Sequence, residues 1–256
     1  MPSHASASGS VPVSPDRSEP DDRSVRVDWS SYAAAYDLLS EHNPEYQALL
    51  RDFEAFLATI TTPRLIYDIG GGTGNYTEIA ARACPGSEIR FVEPDAGMSG
   101  AARAKLAHHV DVSYDSLALE DIDAPATADL VICVHALYAM PAPEQRLGDL
   151  RRLLRPGGWL YLIDIGRVID VADWRSYLFS SLKQKLGLAG ALRVLWQGRE
   201  IAKQNKAISK AQKKGVYRTH SETEIASAVT AAGFEIVRQR SVYRGYSDLL
   251  VCRAKS

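Results

Sequence analysis

Four glycines fall within five positions, Gly70, Gly71, Gly72 and Gly74, in the stretch LIYDIGGGTGNYTEIA. Glycine is costly inside strands and helices, so a cluster of this kind marks backbone that must turn sharply or meet a ligand closely. An apolar run precedes it and an amphipathic run follows it. The glycines therefore sit where a strand ends and a helix begins, and backbone N–H groups at that junction can approach a ligand with no Cβ in the way. Asp68 stands just before the turn. Glu93 closes the next apolar run about 20 residues on, where a carboxylate can accept hydrogen bonds from both hydroxyls of a ribose. The spacing is G-x-G-x-G, and Asn75 occupies the place where a dinucleotide fingerprint has its third glycine. This pattern favours one nucleoside with a small polar tail over a pyrophosphate-bridged dinucleotide.

The elements that must carry these residues are legible in outline. From Arg64 onward, strand-like runs at 65–69, 88–93, 109–114, 130–135 and 159–165 alternate with helical stretches at 76–83, 98–108 and 144–154. Such alternation implies a parallel sheet covered on both faces, an α/β doubly wound architecture. The RPGG at 155–158 reads as a turn. Residues 219–256 complete that core with a capped helix opening at Ser221 and Glu224, then two strands joined through Arg244 and Gly245. Before the core, residues 25–62 form a helical cap of two helices broken at Asn43 and Pro44. Residues 1–24 are rich in Ser, Pro and Asp and are expected to be a disordered tail.

Composition bounds the function. The chain of 256 residues is 46% apolar and 24% charged with a net charge of −1, which argues against a general polyanion binder. Cys84, Cys133 and Cys252 are far apart and are expected to be reduced thiols. No His, Cys and carboxylate spacing suits a metal. No apolar run approaches the ~20 residues of a membrane span, and no secretory signal is evident, so a cytoplasmic location is expected.

Four stretches taken in order, YDIGGGTG, FVEPDAGM, ADLVICVHALYAM and LRRLLRPGGWLYLID, resemble the motif series of class I S-adenosylmethionine-dependent methyltransferases of the small-molecule type. The resemblance implies a Rossmann-like, seven-stranded, mostly parallel sheet with an antiparallel last strand. It implies that Gly70 and Gly72 line the methionine and ribose parts of the cofactor, with Gly71 in the same turn and Asp68 near the amino group. Glu93 would hold the ribose, and Pro94 and Met98 would pack on the adenine. Asp115, Ser116 and Leu117 would meet the adenine edge. Val134 and His135 would lie beneath the sulfonium, and Tyr36, or Tyr32 one turn earlier, would close over it. Aromatic faces suit such a cation. Met98 and Tyr36 also suit plain core positions.

The implied activity is methyl transfer to O, N or C of a small hydrophobic metabolite, with S-adenosylhomocysteine as product. His135 is the best-placed base, since an unperturbed imidazole accepts a proton near neutral pH. Its other reading is a histidine that only contacts cofactor or backbone. Tyr138, His42 and His220 are weaker candidates. Two further functions share the motifs. One is a methyltransferase-fold protein that catalyses another step, such as a cyclisation, with bound cofactor. The other is a nicotinamide-dependent oxidoreductase, for which the third glycine and a catalytic Tyr-x-x-x-Lys are missing.

Residues 166–218 form a helical lid that is both basic and apolar, with 12 Lys and Arg against 3 Asp and Glu between Arg167 and Arg218. Its apolar face would shape the acceptor pocket. Its charges would be solvated, meet an anionic acceptor, or rest through 171–214 on an anionic membrane surface. A nucleic-acid partner is not expected, because the lysines lack a stacking platform.

Overall fold

The computed structural model describes residues 27–124 and 126–255, so the tail expected over 1–24 lies outside the described residues. Seven strands form one sheet: β1 (Leu65–Ile69), β2 (Glu88–Val92), β3 (Val112–Asp115), β4 (Ala128–Val134), β5 (Leu154–Ile165), β6 (Phe234–Val242) and β7 (Ser247–Ala254). Their order is β3-β2-β1-β4-β5-β7-β6. The first five pair in parallel, and β7 runs antiparallel to both neighbours. Strand order reverses between β1 and β4, and that is where a crevice opens at the carboxyl ends of a doubly wound sheet.

Among the described residues eight helices surround the sheet: α1 (Trp29–His42), α2 (Pro44–Leu57), α3 (Asn75–Ala83), α4 (Ala96–Lys105), α5 (Pro143–Leu153), α6 (Val171–Gln197), α7 (Arg199–Lys213) and α8 (Glu222–Ala231). Two core clusters lie on opposite faces. One gathers Phe53, Ile79, Met98 and Ile208 from the helices on the first face. The other gathers Leu147, Leu150, Ile225 and Val229 from α5 and α8. Local chemistry fixes several ends. The Asn43 side chain accepts from the N–H groups of Glu45 and Tyr46, and Pro44 opens α2 where no N–H is needed. Ser221 and Glu224 form a capping box on α8.

Some boundaries differ from the sequence reading. β3 starts at Val112 and not at residue 109, because His109 to Asp111 form a turn in which Val110 is 92% exposed. The Arg155-Pro-Gly-Gly turn is absorbed into β5 as an irregularity. There Ala128 pairs with Leu154 and Leu130 with Trp159, so the extra β5 residues loop out. The helical segment expected at 171–214 consists of two helices. α6 kinks at Gly187, whose φ of 74° leaves the helical region, and Gly198 separates α6 from α7. The cap segment holds α1 and α2, and the lid segment holds α6 and α7, which packs on α1 and α6. Among the described residues no helix is long and apolar enough to cross a membrane.

Candidate active site

A cavity of about 320 Å³ opens at the strand-order reversal, lined by the ends of β1, β2 and β4 together with α1, α6 and α7. Asp68 reaches it from β1. Its Oδ2 accepts from the Thr77 hydroxyl at 2.6 Å, and burial pushes its carboxyl up to about 7. The chain then turns through Gly70 at φ 65° and Gly72 at φ 57°, a region that L side chains rarely adopt. A Cβ on Gly71 would stand 2.4 Å from the Phe91 ring, whereas the space beside Gly72 is open. The turn thus packs on the sheet on one side and bares its backbone to the cavity on the other.

Glu93, at the end of β2, meets this turn directly. Its Oε2 accepts from Gly72 N at 3.0 Å and its Oε1 from Asp95 N at 2.9 Å. Burial raises its carboxyl above the usual value, and the two backbone donors oppose that shift. Pro94 and Met98 line the same wall. Asp95 both caps α4, accepting from Met98 N at 2.9 Å, and borders the cavity. Leu117 also lines it, but Asp115 and Ser116 do not. Asp115 ends β3, where its carbonyl is tied to Glu93 N at 3.0 Å. The chain then folds into a short 3₁₀ turn over Leu119–Asp121, and the wall expected from Asp115 and Ser116 is instead built by Leu117 to Glu120.

Val134 and His135 border the cavity from the end of β4. His135 holds φ 50°, strained for a side chain of this size, and its N–H donates to Ile163 O at 2.7 Å. Its Nε2 stands 3.0 Å from the Ser247 hydroxyl, and its ring is 5.0 Å from that of Tyr243. Burial pushes the imidazole down to about 4. Desolvation disfavours the imidazolium, so this ring differs from the unperturbed imidazole of the sequence reading.

The remaining wall is aromatic. Tyr36 of α1 packs edge-on against Tyr32 at 5.2 Å and Tyr46 at 5.9 Å, and burial pushes its hydroxyl up to about 12. Tyr32 donates to Asn205 Oδ1 of α7 at 3.1 Å. Trp174, Leu178, Ile201 and Ile208 come from the lid. Tyr76 lines the cavity, and its buried hydroxyl has no hydrogen-bond partner. The sequence reading passed over Tyr76, Asn205 and Tyr243. Only Tyr76, one residue inside the helix that follows the glycine turn, carried a local signal. Tyr138 lines the cavity, while His42 and His220 do not. Among the lining residues there is no Lys or Arg, but Asp68, Glu93, Asp95 and Glu120 are present.

These residues fit an adenosyl sulfonium group. The turn offers bare backbone beside open space, Glu93 keeps lone pairs free on both oxygens, and the wall is acidic and aromatic as a cation requires. The unpartnered Tyr76 hydroxyl leaves one buried donor for a polar ligand atom.

Residues 67–160 match the family profile described as Methyltransferase domain. A ubiquinone biosynthesis O-methyltransferase of Paraburkholderia xenovorans is 30% identical over 155 residues, covering 59% of this chain and 62% of that protein. The chain thus spans less than two thirds of that relative. Among solved structures, the N-methyltransferase NodS of Bradyrhizobium japonicum with S-adenosylhomocysteine superimposes with a TM-score of 0.61 at 12% identity, over 90% of this chain and 100% of that one. The cyclase SpnF does so with a TM-score of 0.60 at 14% identity, over 88% of this chain and 93% of that one. At such identities the likeness speaks for the fold alone. Residues 67–160 therefore resemble a methyltransferase domain, and the chain shares its fold with structures solved for S-adenosylmethionine-dependent methyltransferases.

Proposed function

We propose that the chain transfers the methyl group of S-adenosylmethionine to a small, apolar acceptor that bears no negative charge. One observation carries this reading: a single cavity joins the glycine turn and Glu93 to an aromatic end that contains no Lys or Arg. An anionic acceptor would be left there without a countercharge, so the basic lid does not argue for one. The relatives named for ubiquinone biosynthesis are O-methyltransferases, which makes oxygen the first acceptor atom to test.

When bound, the cofactor supplies an electrophilic methyl on a cationic sulfur. The chain does the rest by position and desolvation. Glu93 holds the ribose hydroxyls, and Asp68 faces the cofactor's ammonium. Gly70, Gly71 and Gly72 bring backbone against its methionine and ribose parts. Pro94, Met98 and Leu117 sandwich the adenine. Val134 would lie beside the sulfur, and Tyr36 would cover it and keep water out. His135 is neutral and accepts a hydrogen bond from the acceptor's hydroxyl, orienting its lone pair; as the S–CH3 bond breaks and the O–CH3 bond forms, the hydroxyl proton leaves along that hydrogen bond and passes on to solvent. At about 4 it is too weak a base to hold a full proton at neutral pH.

Calorimetry with S-adenosylhomocysteine and with NAD, followed by transfer of label from methyl-labelled cofactor to a panel of phenols and catechols, tests the reading. Homocysteine-cofactor binding, no NAD binding and labelled product are expected. Binding without label transfer across the panel would point to a non-methylating step such as cyclisation. NAD binding would point to an oxidoreductase.

A further inference from the structure

The second half of α6 presents an apolar stripe to solvent. After the kink at Gly187, Leu188, Leu192 and Trp196 follow at four-residue spacing and share one helix face. They are 55%, 54% and 67% exposed, and Leu186 before the kink is 40% exposed. Ala191, about a quarter-turn round the helix from the centre of this stripe, is fully buried, with Gly190, Val194 and Leu195 half-buried beside it, so the helix packs along one side and leaves the stripe in solvent. The charges around the stripe have one sign. Lys183, Lys185 and Arg193 are exposed, and Arg199 stacks on the Trp196 ring at 4.6 Å. No Asp or Glu occurs between Asp173 and Glu200.

We infer that this face docks on the surface of an anionic lipid bilayer. An apolar stripe set in basic residues and ending in tryptophan is what sits at the headgroup boundary: leucines enter the acyl edge, the indole lies at the interface, and Lys and Arg meet lipid phosphates. A second copy of this chain is the poorer occupant, because two such faces would oppose Lys and Arg to Lys and Arg. Both α6 and α7 line the cavity, through Trp174, Leu178, Ile201 and Ile208. Resting on the proposed apolar acceptor, this assigns docking a purpose: it brings the cavity to a substrate dissolved in the bilayer.

Flotation of the full chain with vesicles tests this without cofactor or acceptor, so its outcome stands whether or not methyl transfer is observed. The chain is expected to float with equimolar phosphatidylcholine and phosphatidylglycerol and to remain at the bottom with phosphatidylcholine alone. The K183E/K185E/R193E variant should lose at least about 100-fold in partitioning to the anionic vesicles. L192S/W196S should lose at least about 10-fold. Both variants should keep the melting temperature and S-adenosylhomocysteine affinity of the parent. No flotation of the parent with anionic vesicles overturns the inference. So does equal flotation with neutral ones, or self-association in sedimentation without vesicles that L192S/W196S abolishes. Should a variant fail to fold, the comparison of the two vesicle types with the parent still decides.

Discussion

Glu93 spends one interaction per oxygen on the backbone, with Gly72 N on Oε2 and Asp95 N on Oε1. Those contacts aim the carboxylate, and its remaining lone pairs are what a ribose would use. Glu93→Ala should weaken S-adenosylhomocysteine binding by about 1–3 kcal/mol through lost charged hydrogen bonds. Unchanged affinity in calorimetry would refute the assignment. Asp68 behaves differently, because burial raises its carboxyl to about 7. A carboxyl raised in the folded state contributes stability that is fully present below its unfolded value near 4 and is lost as pH rises through about 7. Asp68→Asn should therefore raise the melting temperature of the ligand-free protein at pH 8 while weakening cofactor binding. Binding of the cofactor's ammonium to the wild type should release about half a proton at pH 7, read as a buffer-dependent heat in calorimetry. A melting temperature lowered by Asp68→Asn at pH 8 would show that the buried charge is not a burden. Asp68, the glycines and Glu93 were legible because their spacing encodes a local junction. Asn205 and Tyr243 were not, since only the packing of the lid and of the β6–β7 connection on α1 and α2 brings them to the cavity. Asp115 stands outside the cavity lining, and the 3₁₀ turn that brings Leu117 to Glu120 there is not visible in the sequence alone.

Among the elements, α1 decides how closed the cavity is. It carries Trp29, Tyr32 and Tyr36 to the ligand side and is tied down by side chains near both ends. The Ser30 hydroxyl donates to the Asp95 carboxylate at 3.0 Å. Asp37 accepts from the Thr73 hydroxyl and from Lys105 Nζ, each at 2.7 Å. The cover thus hangs on the helix cap beside Glu93 and on the glycine turn itself. Its approach to α4 depends on Gly97, where a Cβ would lie 2.6 Å from Ser30 Cα. Gly97→Val should push α1 outward and speed S-adenosylhomocysteine dissociation about 10-fold or more, a steric cost of ordinary overpacking size. Amide exchange over Trp29–His42 should rise with it. Dissociation at the parent rate would mean that α1 does not cover the ligand. The strands were read from sequence because doubly covered strands carry apolar runs, as in Leu130–Val134 of β4. The kink in α6 was missed because a glycine inside a helical pattern does not say whether it will leave the helical region.

At the scale of the molecule, charge is unevenly spread. The lid carries a balance of +9 over Arg167 to Arg218 within a chain of net charge −1, so the remainder is strongly acidic. The lid is joined to the sheet at a small buried junction. His220, just after the lid, places Nε2 3.2 Å from Asp164 of β5 and Nδ1 3.4 Å from Asp248 of β7. Arg167, at the lid's start, pairs with the same Asp248. Gly166 allows the approach, because a Cβ there would stand 2.6 Å from the His220 ring. Asp164 also accepts from Tyr138 N at 3.0 Å, on the cavity wall. One imidazole therefore connects the antiparallel edge of the sheet, the lid and the acceptor end of the cavity. Asp164 is already held above the usual carboxylate range by burial. Replacing the ring by a methyl leaves that carboxylate without its partner, and water cannot replace it without opening the core. His220→Ala should cost about 1–3 kcal/mol in urea unfolding, the size expected when a buried carboxylate oxygen loses its hydrogen-bond partner. Because Tyr138 is held through Asp164, S-adenosylhomocysteine affinity should fall as well, although His220 touches no part of the cavity. A loss below about 1 kcal/mol would show that the lid is held by its apolar contacts alone.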